Sequence, residues 1–255
     1  MSRILIAVPH ADELAFHVGG TIAKRVAEGH RVYQVVVTTG ATASFTKEKG
    51  EMERIIRGEA HKSSELLGLE DIFLWNYDGI LRENQVMEIN ERLIALVRRL
   101  DIDTIFGFDP WSPRDCHPSQ LVVGKATYWT AYFSGFPFHY PHHRDLGLEP
   151  CMIVDQNYFA YHPEGDHLEA VDISRTIDKK LEAILAFESQ MQWCADIEIA
   201  RCQRQGLPVD HIDRDNYDPI IADHARSEAA ERGAKYGLDY AEVLRHLSAG
   251  EEVLT

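Results

Sequence analysis

The chain has 255 residues, of which 45% are hydrophobic and 26% charged, a composition typical of a globular protein. Its formal net charge is −15, from 41 acidic and 26 basic side chains, and this negative field argues against nucleic acid and anionic membranes as partners. No apolar stretch reaches membrane-spanning length, and the four cysteines form no CxxC pair. We therefore expect a reduced, cytoplasmic protein.

The hydrophobic pattern predicts strands that alternate with helices. The short apolar run Arg3–Val8 predicts a buried first strand, and the valine-rich residues 30–40 predict a second one. Gly19-Gly20 marks the expected start of the first helix. Further strands are expected at 72–75, 104–108 and 152–161, and helices at 21–28, 48–67, 87–100, 120–133, 173–190, 221–233 and 239–247.

This order of elements predicts an α/β fold: a Rossmann-like, doubly wound and mostly parallel sheet with helices on both faces. We assign residues 1–191 to this domain and residues 192–255 to a C-terminal helical addition packed on it. The GxGxxG fingerprint of dinucleotide-binding proteins is absent, so we expect neither a nicotinamide nor a flavin cofactor.

Chemically active side chains follow the first and fourth predicted strands. The first strand runs into Pro9-His10-Ala11-Asp12-Glu13, and the fourth is followed by the loop 109–120. Ligands of open α/β sheets bind at the carboxyl ends of the strands, so these two loops face each other if their strands are neighbours. The spacing lets an imidazole and a carboxylate meet on one cation, as in metal-assisted hydrolysis. The same residues also suit a histidine that caps the sheet and acids that cap a helix, so both interpretations stay open at this point.

An ordered set of motifs resembles the LmbE-like (PIG-L) zinc N-deacetylases. That family has P-H-P-D-D-E followed by G-G-T near its N-terminus, and H-P-D-H in a later loop. The resemblance covers residues 3–191, and the Asp-Pro-Trp loop is most similar to the diacetylchitobiose deacetylase branch. The matching segments are Pro9–Glu13, Gly19-Gly20-Thr21, Thr38-Thr39-Gly40, Arg57-Gly58-Glu59, Asn76-Tyr77-Asp78-Gly79, Asp109–Pro113 and His117-Pro118.

The resemblance implies a metal site and two catalytic residues. Zn²⁺, or another divalent metal, would be held by His10, Glu13 and Gln120. Asp12 would act as the general base, and His117 would stabilise the transition state. Two ligands depart from the family pattern, because Gln120 replaces a histidine and Glu13 is one methylene longer than the usual aspartate. Either Gln120 coordinates weakly, or His117 takes its place, or the metal is not zinc, or the metal has been lost.

The resemblance further implies a metal-dependent hydrolase that removes an N-acyl group, foremost N-acetyl, from an amino sugar or glycoconjugate. Arg57 and Asp78 would contact the substrate, and we add Trp111 of the Asp-Pro-Trp loop. Two alternatives remain open: a metal-poor relative that binds a small molecule, and a hydrolase of a different amide.

Two other groups of residues carry weaker expectations. The histidines of segment 138–143 and of another loop, His162 and His167, would cover the site, bind a second metal or simply be solvated. The aromatic residues of segment 128–133 are expected in the core or in a subunit contact, which leaves a homo-oligomer open.

Overall fold

The computed structural model describes residues 1–112, 114 and 117–248. Pro113 of the loop motif and the end of the predicted C-terminal addition, 249–255, lie outside the described residues.

A seven-stranded sheet forms the centre of the described chain. Its strand order is β3-β2-β1-β4-β5-β7-β6; β1 to β5 run parallel, and β7 is antiparallel to both of its neighbours. The predicted α/β class and mostly parallel sheet are confirmed. The strands are β1 (Arg3–Val8), β2 (Arg31–Thr38), β3 (Asp71–Tyr77), β4 (Thr104–Phe108), β5 (Asp155–Phe159), β6 (Leu168–Asp172) and β7 (Ala241–Ser248).

Helices cover both faces of the sheet, so β1 is buried on both sides. Ile4 and Ile6 pack into the apolar core beneath α1 and α5, whereas Leu5 and Ala7 pack into the core beneath α3 and α4. Successive strand residues point to opposite faces, which is why the first strand is a continuous apolar run. The helices are α1 (Glu13–Ala27), α2 (Lys49–Leu67), α3 (Val86–Leu100), α4 (Pro118–Phe133), α5 (Ile177–Leu185), α6 (Glu188–Gln205) and α7 (Asp218–Ala234). None of these helices combines the length and apolarity needed to cross a membrane.

The predicted start of the first helix was wrong. Gly19-Gly20 lies in the middle of α1, which begins at Glu13 directly after the first loop. A side chain at Gly20 would place its Cβ 2.8 Å from Ile173, so the glycine is needed for close packing rather than for a turn.

The single helix predicted over 173–190 is two helices. Phe187, which is 2% exposed, leaves helical geometry between α5 and α6 and buries its ring in the core. This break directs the start of α6 toward the carboxyl edge of the sheet, where the two predicted functional loops lie.

The C-terminal region is part of the sheet, not only a helical addition. The helix predicted over 239–247 is strand β7, and β6 was not predicted at all. Glu242 of β7 is buried against α1, where it accepts hydrogen bonds from the backbone N–H groups of Gly20 (3.1 Å) and Thr21 (2.7 Å). Lys180 of α5 supplies the opposite charge at 2.6 Å. A buried pair with these additional donors anchors the last strand to the first helix.

Candidate active site

The two loops meet at the carboxyl ends of β1 and β4, which are adjacent strands. This confirms the predicted neighbourhood and places the site where the strand order reverses direction from β1. A cavity of about 280 Å³ opens there. Its lining includes five of the predicted site residues, His10, Asp12, Glu13, His117 and Gln120, together with Glu59, Ile80, Tyr161, Phe187, Ser189, Gln190 and Trp193.

Glu13 is the centre of a hydrogen-bonded group at the base of the cavity. Its Oε1 lies 2.8 Å from His10 Nδ1 and accepts a hydrogen bond from Gln120 Nε2, also at 2.8 Å. Its Oε2 accepts the backbone N–H of His10 at 2.8 Å. The residue is only 3% exposed, and a carboxylate so buried needs compensating charge and donors. The structure therefore brings the three predicted metal ligands together around one buried carboxylate.

Burial and the neighbouring carboxylates shift the pKa values of His10 and Asp12. Burial opposes protonation of His10, but the charge and hydrogen bond of Glu13, with a contribution from Asp12, raise the pKa of His10 to about 9. Burial and the charge of Glu13 raise the pKa of Asp12 to about 6. A proton on His10 thus balances the charge of Glu13, and Asp12 has a pKa near neutral, which suits a group that takes and returns a proton.

Asp12 does not act as a helix cap. It occupies the position before the first residue of α1, yet its side chain forms no capping hydrogen bond. The carboxylate of Glu13 likewise reaches back to His10 instead of the helix. Helix capping, which the sequence left open for these acids, is therefore not their arrangement in the structure.

His117 lies against His10 across the gap between the loops. The two ring centroids are 4.9 Å apart in an edge-to-face arrangement. Burial, reinforced by the charge of His10, lowers the pKa of His117. Its Nδ1 is buried and has no hydrogen-bond partner among the described residues. His117 is thus a neutral imidazole with an unused polar atom beside the carboxylate group.

The side chains at the base of this cavity are of types that bind divalent metal ions. Imidazole nitrogen and carboxylate oxygen are preferred zinc ligands, and an amide oxygen is a weaker, neutral one. In the hydrogen-bonded arrangement, protons on His10 and Gln120 compensate the charge of Glu13, and a cation would compete for the same lone pairs. His117 adds an imidazole to the lining of the same cavity, and its Nδ1 has no partner among the described residues.

Residues from distant segments complete the surroundings of the site and were not predicted. Tyr161 lies with its hydroxyl 3.3 Å from Gln120 Nε2, and Glu59 accepts two hydrogen bonds from Ser189 at the start of α6. Burial raises the pKa of Glu59, although those two hydrogen bonds oppose the shift. The motif Arg57-Gly58-Glu59 pointed to this part of α2, but no local pattern identifies Tyr161 or Ser189.

An ion pair joins the second loop to the last strand. Asp109, 3% exposed, accepts a hydrogen bond from Arg245 Nε at 2.9 Å and another from the backbone N–H of Trp111. Arg245 also donates to the carbonyl oxygens of Asp166 and Glu164, and its guanidinium lies 5.6 Å from the Trp111 ring centroid. Strand β7 therefore holds the beginning of the loop that ends at His117.

The three predicted substrate contacts lie outside the lining of the main cavity. Arg57 donates to Asn76 at 3.2 Å and lines a small neighbouring cavity, and Asp78 is paired with Lys49. Trp111 is 45% exposed beneath Arg245. Their assignment as substrate contacts stays a prediction.

A group of side chains that could hold a metal ion lies beside α3. Ligand atoms of Glu91, His142 and His143 lie within 4.8 Å of one another, and this is the group of three His, Cys, Asp or Glu residues that the described chain offers for a metal. His142 Nε2 is 2.9 Å from Glu91. The Nδ1 of His143 faces Arg98 Nη1 at 3.2 Å, so a cationic donor occupies that nitrogen and opposes a second cation. This group therefore provides a control site for tests of metal binding.

Comparisons with known proteins show that this chain is similar to known deacetylases in sequence and in fold. Residues 5–128 match the family model described as PIG-L: GlcNAc-PI de-N-acetylase. The chain is 27% identical over 192 residues to the diacetylchitobiose deacetylase of Thermococcus kodakarensis, which aligns 74% of this chain with 70% of that protein. The N,N'-diacetylchitobiose deacetylase from Pyrococcus horikoshii, complexed with its inhibitor MPG, has a TM-score of 0.78 and 27% identity, covering 97% of this chain and 84% of that one. The conserved protein TT1542 from Thermus thermophilus, at 21% identity and a TM-score of 0.70 over 96% of this chain and 94% of that chain, shares the fold.

Proposed function

Since the chain carries a PIG-L family domain over residues 5–128, as its motifs predict, we propose that it is a metal-dependent hydrolase removing an N-acetyl group from an amino sugar or glycoconjugate. The observation that supports this proposal most is that His10 and Gln120 both contact the carboxylate of Glu13. Asp12 and His117 line the same cavity. The two diacetylchitobiose deacetylases that it resembles over most of its length support the amide C–N bond as the one cleaved.

We assign the metal to the three residues gathered at the base of the cavity. His10, Glu13 and Gln120 would hold Zn²⁺, which when bound supplies a Lewis acid for the acyl carbonyl and lowers the pKa of the attacking water. The 2.8 Å contacts of Glu13 with both neighbours support this assignment. Glu13 provides the negative charge that attracts the ion, and the backbone N–H of His10 keeps its carboxylate oriented.

Asp12 and His117 carry the proton transfer and the charge stabilisation. Asp12, which has no capping role, takes a proton from water during attack on the acyl carbon and returns it to the leaving nitrogen, so that acetate and a free amine result. His117, a neutral imidazole, donates a hydrogen bond to the oxygen that gains negative charge. The edge-to-face contact places the His117 ring beside His10 in the lining of the same cavity.

The substrate contacts proposed from the resemblance belong to the surroundings of this cavity. Arg57 lines a small cavity that shares Thr38 and Ile56 with the main one. Asp78 precedes Gly79, which lines the main cavity. Trp111 begins the segment that leads to His117. These positions suit contacts with the parts of a glycoconjugate that extend beyond the acetamido group.

A second candidate is a small-molecule binding protein without bound metal. The contact between Gln120 and Glu13 favours it, because an amide N–H donated to the carboxylate closes the ligand group with hydrogen bonds instead of lone pairs. A hydrolase of another amide is the third candidate, and the substrate comparison below separates it from the first.

The decisive experiment measures acetate release from N-acetylated amino sugars by the zinc-loaded protein. We expect turnover by the natural chain and a loss of at least about a hundredfold in Asp12→Asn, with metal content unchanged. Asp178→Asn, which changes a carboxylate on the surface of α5, is the matched control and keeps full activity. Unchanged turnover in Asp12→Asn would rule out the proposed base, and a natural chain that binds the sugar without releasing acetate would favour the binding protein.

We further propose that the protein is cytoplasmic and acts on a small N-acylated substrate. Neither nucleic acid nor a membrane is proposed as a partner, because the net charge of −15 repels both. A homo-oligomer is supported by exposed aromatic side chains around the end of α4, namely Trp129, Tyr132, Phe136 and Phe138.

A further inference from the structure

The ionisable side chains that line the main cavity are predominantly acidic. Asp12, Glu13 and Glu59 contribute three carboxylates, against the imidazoles of His10 and His117. No lysine or arginine is among the described residues of this lining. A proton on His10 leaves the group negative, and so does a divalent ion that replaces that proton. The cavity therefore repels an anionic ligand whether or not the metal is bound.

Three basic side chains near the cavity are paired with other residues. Arg57 donates to Asn76 at 3.2 Å, and Lys47 donates to Gln192 at 3.1 Å. Lys49 forms an ion pair with Asp78. None of the three lines the main cavity, so none provides the paired donors that a phosphate group requires inside it.

Trp193 lines the cavity, and no ring contact or cation–π contact of its indole is formed with the described residues. It is half-buried on α6 and lines both the main cavity and a smaller one beside it. The other three tryptophans are each in contact with a ring or a cation: Trp75 with Arg92, Trp111 with Arg245, and Trp129 with Phe133.

Trp193 thus has no such partner among the described residues, and no hydrogen bond of its Nε1–H is present there. An indole offers a large flat apolar face and one polar donor. A pyranose ring has a complementary apolar C–H face edged by hydroxyl groups. An unpartnered indole in the wall of a cavity is therefore suited to stacking against a sugar ring.

We infer that the site selects an uncharged acetamido pyranose, whose ring stacks on Trp193, and rejects phosphorylated sugars through the carboxylates of the lining. The inference rests on the proposed function and narrows its substrate class. It has two separable consequences, one for the charge of the sugar and one for the presence of a ring.

The charge is tested with two ligands that differ at one position: the methyl glycoside of N-acetylglucosamine and N-acetylglucosamine 1-phosphate. We expect kcat/KM to be at least about tenfold lower for the phosphate, because like charges are brought together on binding. The gap should narrow as salt is added, since screening weakens the repulsion. Equal or preferred hydrolysis of the phosphate would overturn the inference.

The ring is tested with Trp193→Ala and Trp193→Phe on the methyl glycoside and on an acyclic amide, N-acetylethanolamine. For the sugar, we expect Trp193→Ala to raise KM about tenfold with little change in kcat, and Trp193→Phe to restore most of the affinity. The acyclic amide should be affected by neither variant. An equal loss for both amides, or no loss for the sugar, contradicts the stacking role.

Calorimetric binding of the same ligands keeps this test separate from catalysis. If the natural chain binds the methyl glycoside in a Trp193-dependent manner but releases no acetate, the proposed function fails and the inference stands. If acetate is released and binding is independent of Trp193, the proposed function stands and the inference fails.

Discussion

Replacing Arg245 tests whether β7 supports the loop that leads to His117. Arg245 is 12% exposed and pairs at 2.9 Å with Asp109, whose side chain is 2% exposed. Arg245→Met leaves this carboxylate buried with only the backbone N–H of Trp111 as donor, and leaves the carbonyl oxygens of Glu164 and Asp166 without the guanidinium. Breaking a buried pair on one side costs about 3–5 kcal/mol. Because Arg245 is partly exposed and the Trp111 donor remains, the expected loss is about 3 kcal/mol.

A double-mutant cycle isolates the pair. The free energy of unfolding is measured by urea denaturation for Arg245→Met, Asp109→Asn and the double variant. Arg245→Met leaves the charge of Asp109 without its partner, and Asp109→Asn removes that charge. The double variant should therefore be less destabilised than the sum of the two single variants, by at least about 1 kcal/mol. Arg226→Met, which breaks an exposed pair with Asp178, is the control and should change stability by less than about 0.5 kcal/mol.

The functional readout of the same variants is kcat. Asp109 begins the loop that ends at His117, so loss of the pair should lower kcat about tenfold and leave KM nearly unchanged. Strictly additive free energies, or full activity in Arg245→Met, would refute the idea that β7 positions this loop.

Two further predictions concern α1 and α4. Burial, with the charges of Lys180 and Arg232, lowers the pKa of His17 from 6.5 to about 3, so at acid pH the unfolded chain takes up a proton that the folded chain does not. His17 therefore contributes stability that is present above pH 6.5 and declines as the pH falls. Between pH 7 and pH 5, the free energy of unfolding of His17→Leu should fall by about 2 kcal/mol less than that of the natural chain, measured by urea unfolding with chelator in both samples. Identical pH slopes would contradict this prediction. A Cβ on Gly124 would lie 2.8 Å from the carbonyl oxygen of Phe108, so Gly124→Ala should lower the melting temperature and cost about 1–3 kcal/mol of stability. In the control Gly58→Ala, the new Cβ meets nothing within 4 Å, and the free energy of unfolding should rise by up to about 1 kcal/mol. A stabilised Gly124→Ala protein would show that the packing around Gly124 is wrong.

The centre of the sheet could be predicted because its local and tertiary requirements agree. The run Arg3–Val8 is apolar at every buried position, and both faces of β1 are covered. The helix predicted over 48–67 is α2, Lys49–Leu67, and ends at Gly68 in the left-handed conformation that favours glycine. The meeting of the loops at 9–13 and 109–120 followed from parallel strands sharing one edge.

The predictions of secondary structure were wrong where a residue is required by a contact with a distant part of the chain. Gly20 looks like a helix start, yet it is small because Ile173 packs against it. Glu242 looks like a surface residue of a helix, but Lys180 and the α1 backbone N–H groups make its burial in β7 possible. No local pattern announces such partners. The same holds for Trp193, whose position in the wall of the cavity depends on where α6 begins.

The candidate site shows the same division between local and distant information. The motif residues His10, Asp12 and Glu13 lie together as expected, because one loop carries all three. The substitution that matters most, glutamine at position 120, could be read from the sequence, but its amide contact with Glu13 could not.

We propose that a divalent ion held by His10, Glu13 and Gln120 drives amide hydrolysis. The most direct measurement is metal content and acetate release by the chelator-stripped protein after one equivalent of Zn²⁺ is returned, for the natural chain, His10→Ala and His142→Ala. We predict that activity returns with about one bound ion in the natural chain and in His142→Ala, and that His10→Ala recovers neither. Full activity after complete removal of metal, or an ion retained by His10→Ala and lost from His142→Ala, would contradict the account.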